Sequence, residues 1–306
     1  MFKKIKRITR ETLDTIRVEH IKRTEGYVVM LHRIGPNEPN RLPCLAELNV
    51  TPEYLQTFVD KHRKHYDFIT LDEVIMRYDN PSQYKRPYIA FTFDDGFKDN
   101  LRYGLPFFEK NNIPFAVFVT TDFINRHPAF NYPFVLERVI ADNETLSLDG
   151  HIYDCRSLDQ KNQVFRQLKG IVLSLPYKHF EERFKQLFAE YIHPALYEDL
   201  TMTWDDVCQL AVSPLCTIGS HTVTHCRLSN LSITELEYEL GESKRQIEQH
   251  IQKQCQYISY PYGWKTDVNN QVLDIADSLY NAGFQSFISP VGGGNKLKIN
   301  RLMLKE

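Results

Sequence analysis

The sequence predicts an α/β protein built on parallel strands. Short apolar runs without charges alternate along the chain with amphipathic segments of helical period, and this alternation is typical of strands joined by crossover helices. The runs are apolar at successive positions, as expected where helices cover both faces of a parallel sheet. Polar residues follow several of these runs, and in a parallel α/β barrel all such strand ends lie on one rim.

Apolar runs and helix caps define the individual elements. Strands are predicted at 27–31, 68–70, 88–93, 114–120, 215–219, 257–260, 284–288 and 297–304, with helices at 51–62, 71–78, 99–111, 204–212, 232–254 and 267–281. Thr51 followed by Pro52 favours one helix start, and Ser232 with Glu235 forms a capping box at another. Gly283 is expected to be the C-terminal glycine of the 267–281 helix.

The pattern changes between about residues 123 and 210. A helix is expected over 131–142, then a hairpin through Asp149 and Gly150, then two helices within 159–191 that are divided at Pro176. Each of these two helices carries apolar residues on one face. We interpret the region as a helical insertion packed on the surface of one domain, which extends over 26–306.

Residues 1–25 predict a basic helical extension, with eight Lys or Arg against four Asp or Glu. Such a helix either packs on the domain or makes weak contact with an anionic membrane surface. The formal net charge of −2 provides no global field for nucleic acid. No apolar stretch is long enough to span a membrane, and no GxSxG motif of a serine hydrolase occurs.

The six cysteines are scattered and form no CxxC pair. This usage is typical of free thiols in a reducing compartment. The N-terminus also lacks the apolar run of a signal peptide. The sequence therefore predicts a cytoplasmic protein.

Two adjacent carboxylates, Asp94 and Asp95, directly follow the apolar run Tyr88–Phe93. Adjacent anions repel each other, and burial of even one is costly without a partner. The pair therefore indicates either a functional site or a simple turn, in which Asp95 caps the next helix and Gly96 supplies a positive φ.

Histidines at other strand ends favour the functional site. His221 and His225 lie four residues apart, a spacing that suits a shared metal ion. With Asp95 they make an Asp-His-His set, and three protein ligands with an open position are typical of a catalytic zinc-type site. Asp94 is then placed to act as a base. His32 follows the first strand on the same rim, where it serves either as a functional group or as a core histidine.

Three motifs resemble those of the polysaccharide deacetylase family, the NodB-homology or carbohydrate esterase 4 group. They are Thr92-Phe-Asp-Asp-Gly96, Ser220-His-Thr-Val-Thr-His225 and Ser259-Tyr-Pro-Tyr-Gly263, in this order. The resemblance covers about residues 26–304, interrupted by the insertion. It implies a distorted parallel (β/α)7-type barrel that removes N-acetyl groups from sugars with a divalent metal, usually zinc.

The resemblance also implies roles for individual residues. Asp94 matches the general base, and Asp95, His221 and His225 match the metal ligands. Tyr262 matches the tyrosine whose backbone N–H helps to form the oxyanion hole.

Two departures from the family pattern concern Ser259 and the C-terminus. Ser259 stands where the family often has an arginine that orients the base, and Arg301 is the candidate to replace it. The usual C-terminal Leu-x-His motif of the general acid is missing after residue 263. Instead, Met30-Leu-His-Arg33 resembles the corresponding motif of a circularly permuted branch that includes poly-N-acetylglucosamine deacetylases. This similarity places His32 in the acid role.

We therefore expect a metal-dependent hydrolase that removes N-acetyl groups from an N-acetylated sugar, a polysaccharide or a glycan precursor. Two alternatives are a carbohydrate O-acetyl esterase that uses the same site and a metal-containing glycan-binding module without turnover. Tyr262 and Trp264 are candidates to stack on a pyranose face, although Trp264 is equally a candidate for the core. The expected partner is a carbohydrate, with no nucleic acid.

Overall fold

The computed structural model describes residues 26–37, 42–127, 132–175, 177–193, 198–286, 291 and 294–306. The predicted basic helix over 1–25, and with it the predicted contact with a membrane surface, lies outside the described residues. Among the helices of the described residues, none is both long and apolar enough to cross a membrane.

The strands reproduce the predicted series of buried apolar runs. They are β1 (Tyr27–Leu31), β2 (Arg33–Ile34), β3 (Asn49–Val50), β4 (Asp67–Phe68), β5 (Tyr88–Phe93), β6 (Phe115–Val119), β7 (Thr145–Leu148), β8 (His151–Asp154), β9 (Cys216–Ser220), β10 (Tyr257–Ser259), β11 (Ala282–Gln285), β12 (Ile299–Asn300) and β13 (Leu302–Met303). Every residue of β1, β5, β6, β10 and β11 is buried. Burial on both faces agrees with the absence of polar alternation in the sequence.

Eight strands form a mostly closed parallel barrel in the order β12-β11-β10-β9-β6-β5-β1-β13, with β4 paired to the start of β5. The predicted strand over 297–304 is divided at Arg301 into β12 and β13. Because β12 pairs with β11 and β13 pairs with β1, this segment joins the two ends of the strand order. Counted as one strand, it leaves a circuit of seven, which confirms the distorted (β/α)7-type barrel.

Helices surround the barrel and fill the connections. The α-helices are Pro43–Ala46, Pro52–His62, Leu71–Asp79, Leu105–Asn111, Thr121–Ile124, Tyr132–Asp142, Leu158–Leu173, Phe180–Phe188, Trp204–Val212, Ile233–Glu237, Ser243–Ile251 and Asn270–Leu279. Short 3-10 turns occupy Pro81–Gln83, Tyr177–His179, Leu228–Asn230 and Lys296–Lys298. Both expected caps form, since Thr51 accepts from the Tyr54 N–H and Ser232 forms its box with Glu235.

Two predicted helices contain a π-helical turn. The segment Asn100–Gly104 precedes Leu105–Asn111, and Tyr238–Glu242 joins Ile233–Glu237 to Ser243–Ile251. A π-turn inserts one extra residue per turn and is frequent near functional sites.

The prediction that Gly283 ends a helix is wrong. The last long helix ends at Leu279, and the Tyr280 N–H donates to the Ala276 carbonyl. Gly283 lies inside β11, opposite Ile258. Its lack of a side chain is needed there for packing, because a Cβ atom would come within 2.3 Å of the Tyr260 hydroxyl.

The region over 123–210 contains the predicted hairpin, formed by β7 and β8, and the predicted helices. Most of its buried apolar residues, among them Phe165 and Phe184, form a cluster separate from the main core, whereas Met202, Val207 and Leu210 belong to the main core. The same cluster includes Leu42 and Phe97 from outside the region, so the insertion packs directly against the barrel. The domain boundary at residue 26 stays a prediction.

Candidate active site

The candidate site lies where β5, β9 and β10 end. The chain turns sharply out of each strand, and several site residues have a left-handed backbone, with φ of 77° at Asp95, 67° at Thr222, 55° at His225 and 61° at Tyr262. This conformation is uncommon for residues other than glycine, above all for a β-branched residue such as Thr222. Such outliers persist only where surrounding contacts enforce them, and they cluster at functional sites.

Asp95, His221 and His225 converge, as the sequence predicts. One ligand atom from each lies within 4.8 Å of the others. The Oδ1 atom of Asp95 is 3.5 Å from the Nε2 atom of His221 and 3.5 Å from the Nε2 atom of His225. Two ligands bound to a tetrahedral zinc ion at about 2.0–2.1 Å lie about 3.3–3.4 Å apart, so both separations fit a shared ion.

The chemistry of the three side chains also fits a metal ion. The Oδ1 atom of Asp95 is buried and has no hydrogen-bond partner within the part of the chain that the structure describes. Burial, and then the charge of Asp94, raises the pKa of Asp95 well above its usual range. A buried carboxylate in this condition lacks a counter-cation, and a divalent ion would provide one.

Both histidines are prepared to act as neutral ligands. The Nδ1–H group of His221 donates to the Ser259 carbonyl at 2.7 Å, which leaves the lone pair on Nε2 for a metal. Burial lowers the pKa of His221 despite the opposing attraction of Asp94. Burial, together with His221 and His32, lowers the pKa of His225 well below its usual range.

The loop that carries the two histidines is held by Glu239, which lies in the π-turn and is fully buried. Its carboxylate accepts from the backbone N–H groups of Val223 at 2.9 Å and Thr224 at 3.0 Å. It also accepts from the Thr224 hydroxyl and the Tyr177 hydroxyl, both at 2.6 Å. These bonds support the strained backbone between His221 and His225.

Asp94 differs from Asp95 in having a charged partner, the guanidinium of Arg301. Arg301 donates from Nη1 to Oδ1 at 2.7 Å and from Nη2 to Oδ2 at 2.6 Å, in a bidentate pair. Burial alone would raise the pKa of Asp94, but Arg301 and His221 outweigh it and hold that pKa well below its usual range. Asp94 is therefore ionised, and its Oδ2 atom lies 3.9 Å from the Nε2 atom of His221.

The structure thus brings Arg301, which the sequence analysis expects to replace the family arginine, into direct contact with Asp94. Ser259 joins the same network, since its hydroxyl donates to Asp94 at 3.2 Å and accepts from Arg301 at 2.7 Å. Thr92 also accepts from Arg301, at 3.1 Å. The serine leaves room for an arginine that arrives from the barrel-closing segment.

His32 follows β1 and reaches the same cavity as Asp94 and Asp95. Its Nδ1 atom is buried without a hydrogen-bond partner among the described residues. Burial lowers the pKa of His32 to about 4, although the charge of Asp94 opposes this shift. The imidazole is therefore neutral at pH 7 before substrate binds.

Tyr262 forms another part of the cavity wall. Its ring centroid lies 5.2 Å from that of His225, and it lines the cavity beside Trp264. Within the described residues, no hydrogen-bond acceptor is found for its backbone N–H, which suits the predicted oxyanion role.

These residues surround a cavity of about 310 Å³. Besides the predicted residues, its lining includes Tyr132 and Lys169 from the insertion, Met30 at the end of β1 and Ser286 after β11. Tyr132, Lys169 and Ser286 carry no sequence signal of a site, and neither does Glu239, which stands in an amphipathic helical pattern like any other glutamate.

A parallel barrel with an Asp-His-His set and a second buried carboxylate at its carboxyl rim is an arrangement typical of catalytic sites. Comparison with known proteins then defines the family. The family model for polysaccharide deacetylases matches residues 82–280, and the chain belongs to this family.

Solved structures confirm the fold. The chain is similar to the Streptococcus pyogenes deacetylase PplD in complex with acetate, with 17% identity, 92% of each chain covered and a TM-score of 0.62. IcaB from Ammonifex degensii follows with 15% identity, 92% of each chain and a TM-score of 0.59. A de-N-acetylase from Aggregatibacter actinomycetemcomitans shares 14% identity over 92% of this chain and 95% of that chain, with a TM-score of 0.57. Among curated proteins, no significant match is found.

Proposed function

We propose that the protein is a metal-dependent hydrolase that removes N-acetyl groups from an N-acetylated sugar or glycan by cleavage of the amide C–N bond. Membership of the polysaccharide deacetylase family supports deacetylation. The observation that carries the proposal is the position of Asp94, an ionised buried carboxylate next to the Asp95, His221 and His225 set. It provides a base within reach of a metal centre.

Asp95, His221 and His225 would hold the cofactor, for which we propose Zn²⁺, because their mixed nitrogen and oxygen set leaves a coordination position open. When bound, a divalent ion supplies Lewis acidity toward water and the acetyl carbonyl. Asp94 takes the proton from the attacking water, while the bidentate contact with Arg301 fixes the orientation of its carboxylate. In this scheme Arg301 positions the base and does not itself react.

The remaining roles fall to Tyr262 and His32. The Tyr262 N–H donates to the oxygen that becomes negative as water adds to the carbonyl carbon, and one such donor contributes about 3 kcal/mol in comparable sites. His32 gives a proton to the sugar nitrogen as the C–N bond breaks, with acetate as the other product. Since His32 is neutral in the free site, it takes up this proton from solvent as the negative charge of the tetrahedral state develops beside it, and Asp94 later releases the proton of the attacking water to solvent.

The variant Asp94→Asn tests the assignment of the base. We expect turnover to fall below detection, because the amide cannot accept the proton, while metal content stays at the wild-type level. Acetate release and metal analysis on the same preparation measure both quantities. Loss of metal together with activity would show that Asp94 is a ligand and would contradict the assignment.

An O-acetyl esterase is the second candidate, and the low pKa of His32 is the observation that favours it. An alkoxide leaves more readily than an amine anion, so an ester needs a protonated acid less. His32→Ala would then reduce the rate little on O-acetylated sugars, whereas an N-deacetylase would lose most of its rate. Absence of acetate release from every acetylated sugar would instead indicate a metal-containing glycan-binding module.

We also propose a cytoplasmic location. The five cysteines described in the structure, Cys155, Cys208, Cys216, Cys226 and Cys255, are all free thiols, which supports a reducing compartment. Fractionation of cells that express the protein, followed by detection with an antibody, tests this location.

A further inference from the structure

A buried asparagine at the start of the first π-turn contacts the segment that carries His32. Asn100 is fully buried, and its Nδ2 atom donates to the His32 carbonyl at 3.0 Å. The same Nδ2 atom donates to the Oδ1 atom of Asp99 at 3.0 Å. Both amide hydrogens of Asn100 are therefore used within one buried cluster.

The amide of Asn100 can lie only one way round. Its Oδ1 atom is buried, and none of the residues that the structure describes donates to it. The reverse orientation would direct this oxygen at the His32 carbonyl and the Asp99 carboxylate, which are both acceptors and would repel it. The two donated bonds thus offset the cost of an unsatisfied buried oxygen.

Asp99 holds the next two residues of the same segment. Its carboxylate accepts from the Nε atom of Arg33 at 2.6 Å and from the N–H group of Ile34 at 3.4 Å. Arg33 is itself buried, at 7% exposure. Together with the bond from Asn100, these contacts hold three consecutive residues that begin with His32.

The same stretch of chain also carries the proposed base. Asp94 begins the stretch, and its backbone N–H donates to the Leu31 carbonyl at 2.9 Å. Asn100 ends it, and the Asn100 carbonyl accepts from the Leu105 N–H in the five-residue bond of the π-turn. One short length of backbone therefore relates the position of Asp94 to that of the segment with His32.

Acid catalysis depends on such placement. An acid has to lie within hydrogen-bond reach of the atom that it protonates, and a displacement of about 1 Å can lower a rate by about 100-fold. The Nδ1 atom of His32 is buried and makes no hydrogen bond within the described ranges of the chain. The position of the imidazole therefore depends on the backbone that carries it, which Asn100 holds at the carbonyl.

We propose that Asn100 is a positioning residue for the acid, because its bond to the His32 carbonyl places the imidazole where it can protonate the departing sugar nitrogen. This proposal rests on the proposed function, in which the C–N bond breaks as that nitrogen takes the proton and acetate is the other product. Asn100 does not line the active-site cavity, so its removal should act only through His32. The loss should be selective for substrates whose leaving group needs a proton.

The test compares two substrates that differ in this need, with the metal-loaded full chain. N-acetylglucosamine oligomers release an amine, which must leave protonated, whereas 4-nitrophenyl acetate releases a stabilised phenolate without a proton from the enzyme. In Asn100→Ala we expect kcat on the oligomers to fall by about 10–100-fold with KM and metal content unchanged. Hydrolysis of 4-nitrophenyl acetate should stay within about twofold of wild type. In the background of His32→Ala, the same substitution should cause no further loss on the oligomers.

Asn49→Ala is the matched control. Asn49 is 8% exposed, and its Nδ2 atom donates to the Gly35 carbonyl at 3.1 Å. It therefore holds the same segment by the same kind of bond, at a residue beyond His32. Both variants remove one buried side-chain amide, and Asn49→Ala should leave the ratio of the two activities at the wild-type level.

The outcomes separate this proposal from the proposed function. An equal loss on both substrates in Asn100→Ala, or a further loss when it is combined with His32→Ala, would show a merely structural role and overturn the inference while deacetylation stands. An equal change of the ratio in Asn49→Ala would overturn it as well. If wild type hydrolyses 4-nitrophenyl acetate but releases acetate from no N-acetylated sugar, the proposed function fails and the inference falls with it. Asn100→Ser carries the test if Asn100→Ala does not fold, and should show the same selectivity between the two substrates.

Discussion

The buried pair of Asp94 and Arg301 allows the most stringent test of the site. Their side chains are 3% and 0% exposed and meet through two charged hydrogen bonds. Arg301→Met keeps most of the volume of the side chain but removes the guanidinium, so Asp94 remains buried without its main counter-charge. Removal of one partner from a buried ion pair costs about 3–5 kcal/mol. Since a domain is stable by about 5–15 kcal/mol in total, the variant should be strongly destabilised at pH 7.

The pH dependence gives this prediction a definite sign. The pKa of Asp94 is lowered in the folded protein, so the pair contributes stability above the unfolded value of about 3.9 and loses it as pH falls through the folded value. In Arg301→Met burial dominates and raises the pKa of Asp94, which lets the carboxyl become neutral in acid. The difference in stability between wild type and variant should therefore shrink as pH is lowered from 7 toward 4.

Urea unfolding of the chelator-treated protein measures the free energy of unfolding at each pH. Asp94→Asn combined with Arg301→Met should recover part of the loss, because the buried charge is then absent. Arg77→Met is the control. Arg77 is also buried, but it binds the partly exposed side chains of Asp67 and Glu73, whose charges water can still screen. The loss of stability in this variant should therefore depend little on pH over this range. A loss below 1 kcal/mol for Arg301→Met at pH 7, or a double variant no more stable than the single one, would refute the reasoning.

Two further predictions concern Glu239 and His32. Glu239→Gln keeps one acceptor oxygen but loses the second, so the Kd for zinc should rise by about 10–100-fold, as for other residues that orient metal ligands. Competition with a zinc chelator measures this Kd. An unchanged Kd would show that Glu239 does not position the histidines. The pKa of His32 is about 4 in the folded protein against 6.5 normally, so the unfolded chain binds a proton between these values that the folded chain does not. The free energy of unfolding of the chelator-treated protein should therefore decrease as pH drops from 6.5 to 4. In His32→Gln this decrease should be smaller by about 3 kcal/mol at pH 4. An identical pH profile in the variant would contradict a lowered pKa of His32.

The order of strands and helices follows from the sequence because its signals are local. Apolar runs, caps such as Thr51 and the Asp149-Gly150 turn act over a few residues, and the structure reproduces them. The convergence of Asp95, His221 and His225 also follows, since parallel strands place their carboxyl ends on one rim.

Features that depend on contacts between distant segments could not be derived from local pattern. Arg301 and Asp94 are 207 positions apart, and their contact requires the final segment to close the barrel between β11 and β1. The prediction for Gly283 is wrong because the small size of this residue is required by the side chain of Tyr260, which follows the neighbouring strand β10. The role of Glu239 depends on hydrogen bonds to the backbone of Val223 and Thr224, which lie 16 and 15 positions away in the sequence.

Asp94 and Asp95 show why adjacent carboxylates are tolerated at the centre of this fold. Arg301 compensates Asp94 and lowers its pKa, whereas Asp95 faces two neutral histidines and has a raised pKa. Opposite shifts in neighbouring groups are the mark of separate roles. The guanidinium is fixed in the barrel wall, so only the charge of Asp95 remains to be balanced, and a cation that binds there also relieves the repulsion between the two carboxylates. The Arg301 contact that stabilises the Asp94 carboxylate therefore leaves Asp95 as the carboxylate that a cation would bind.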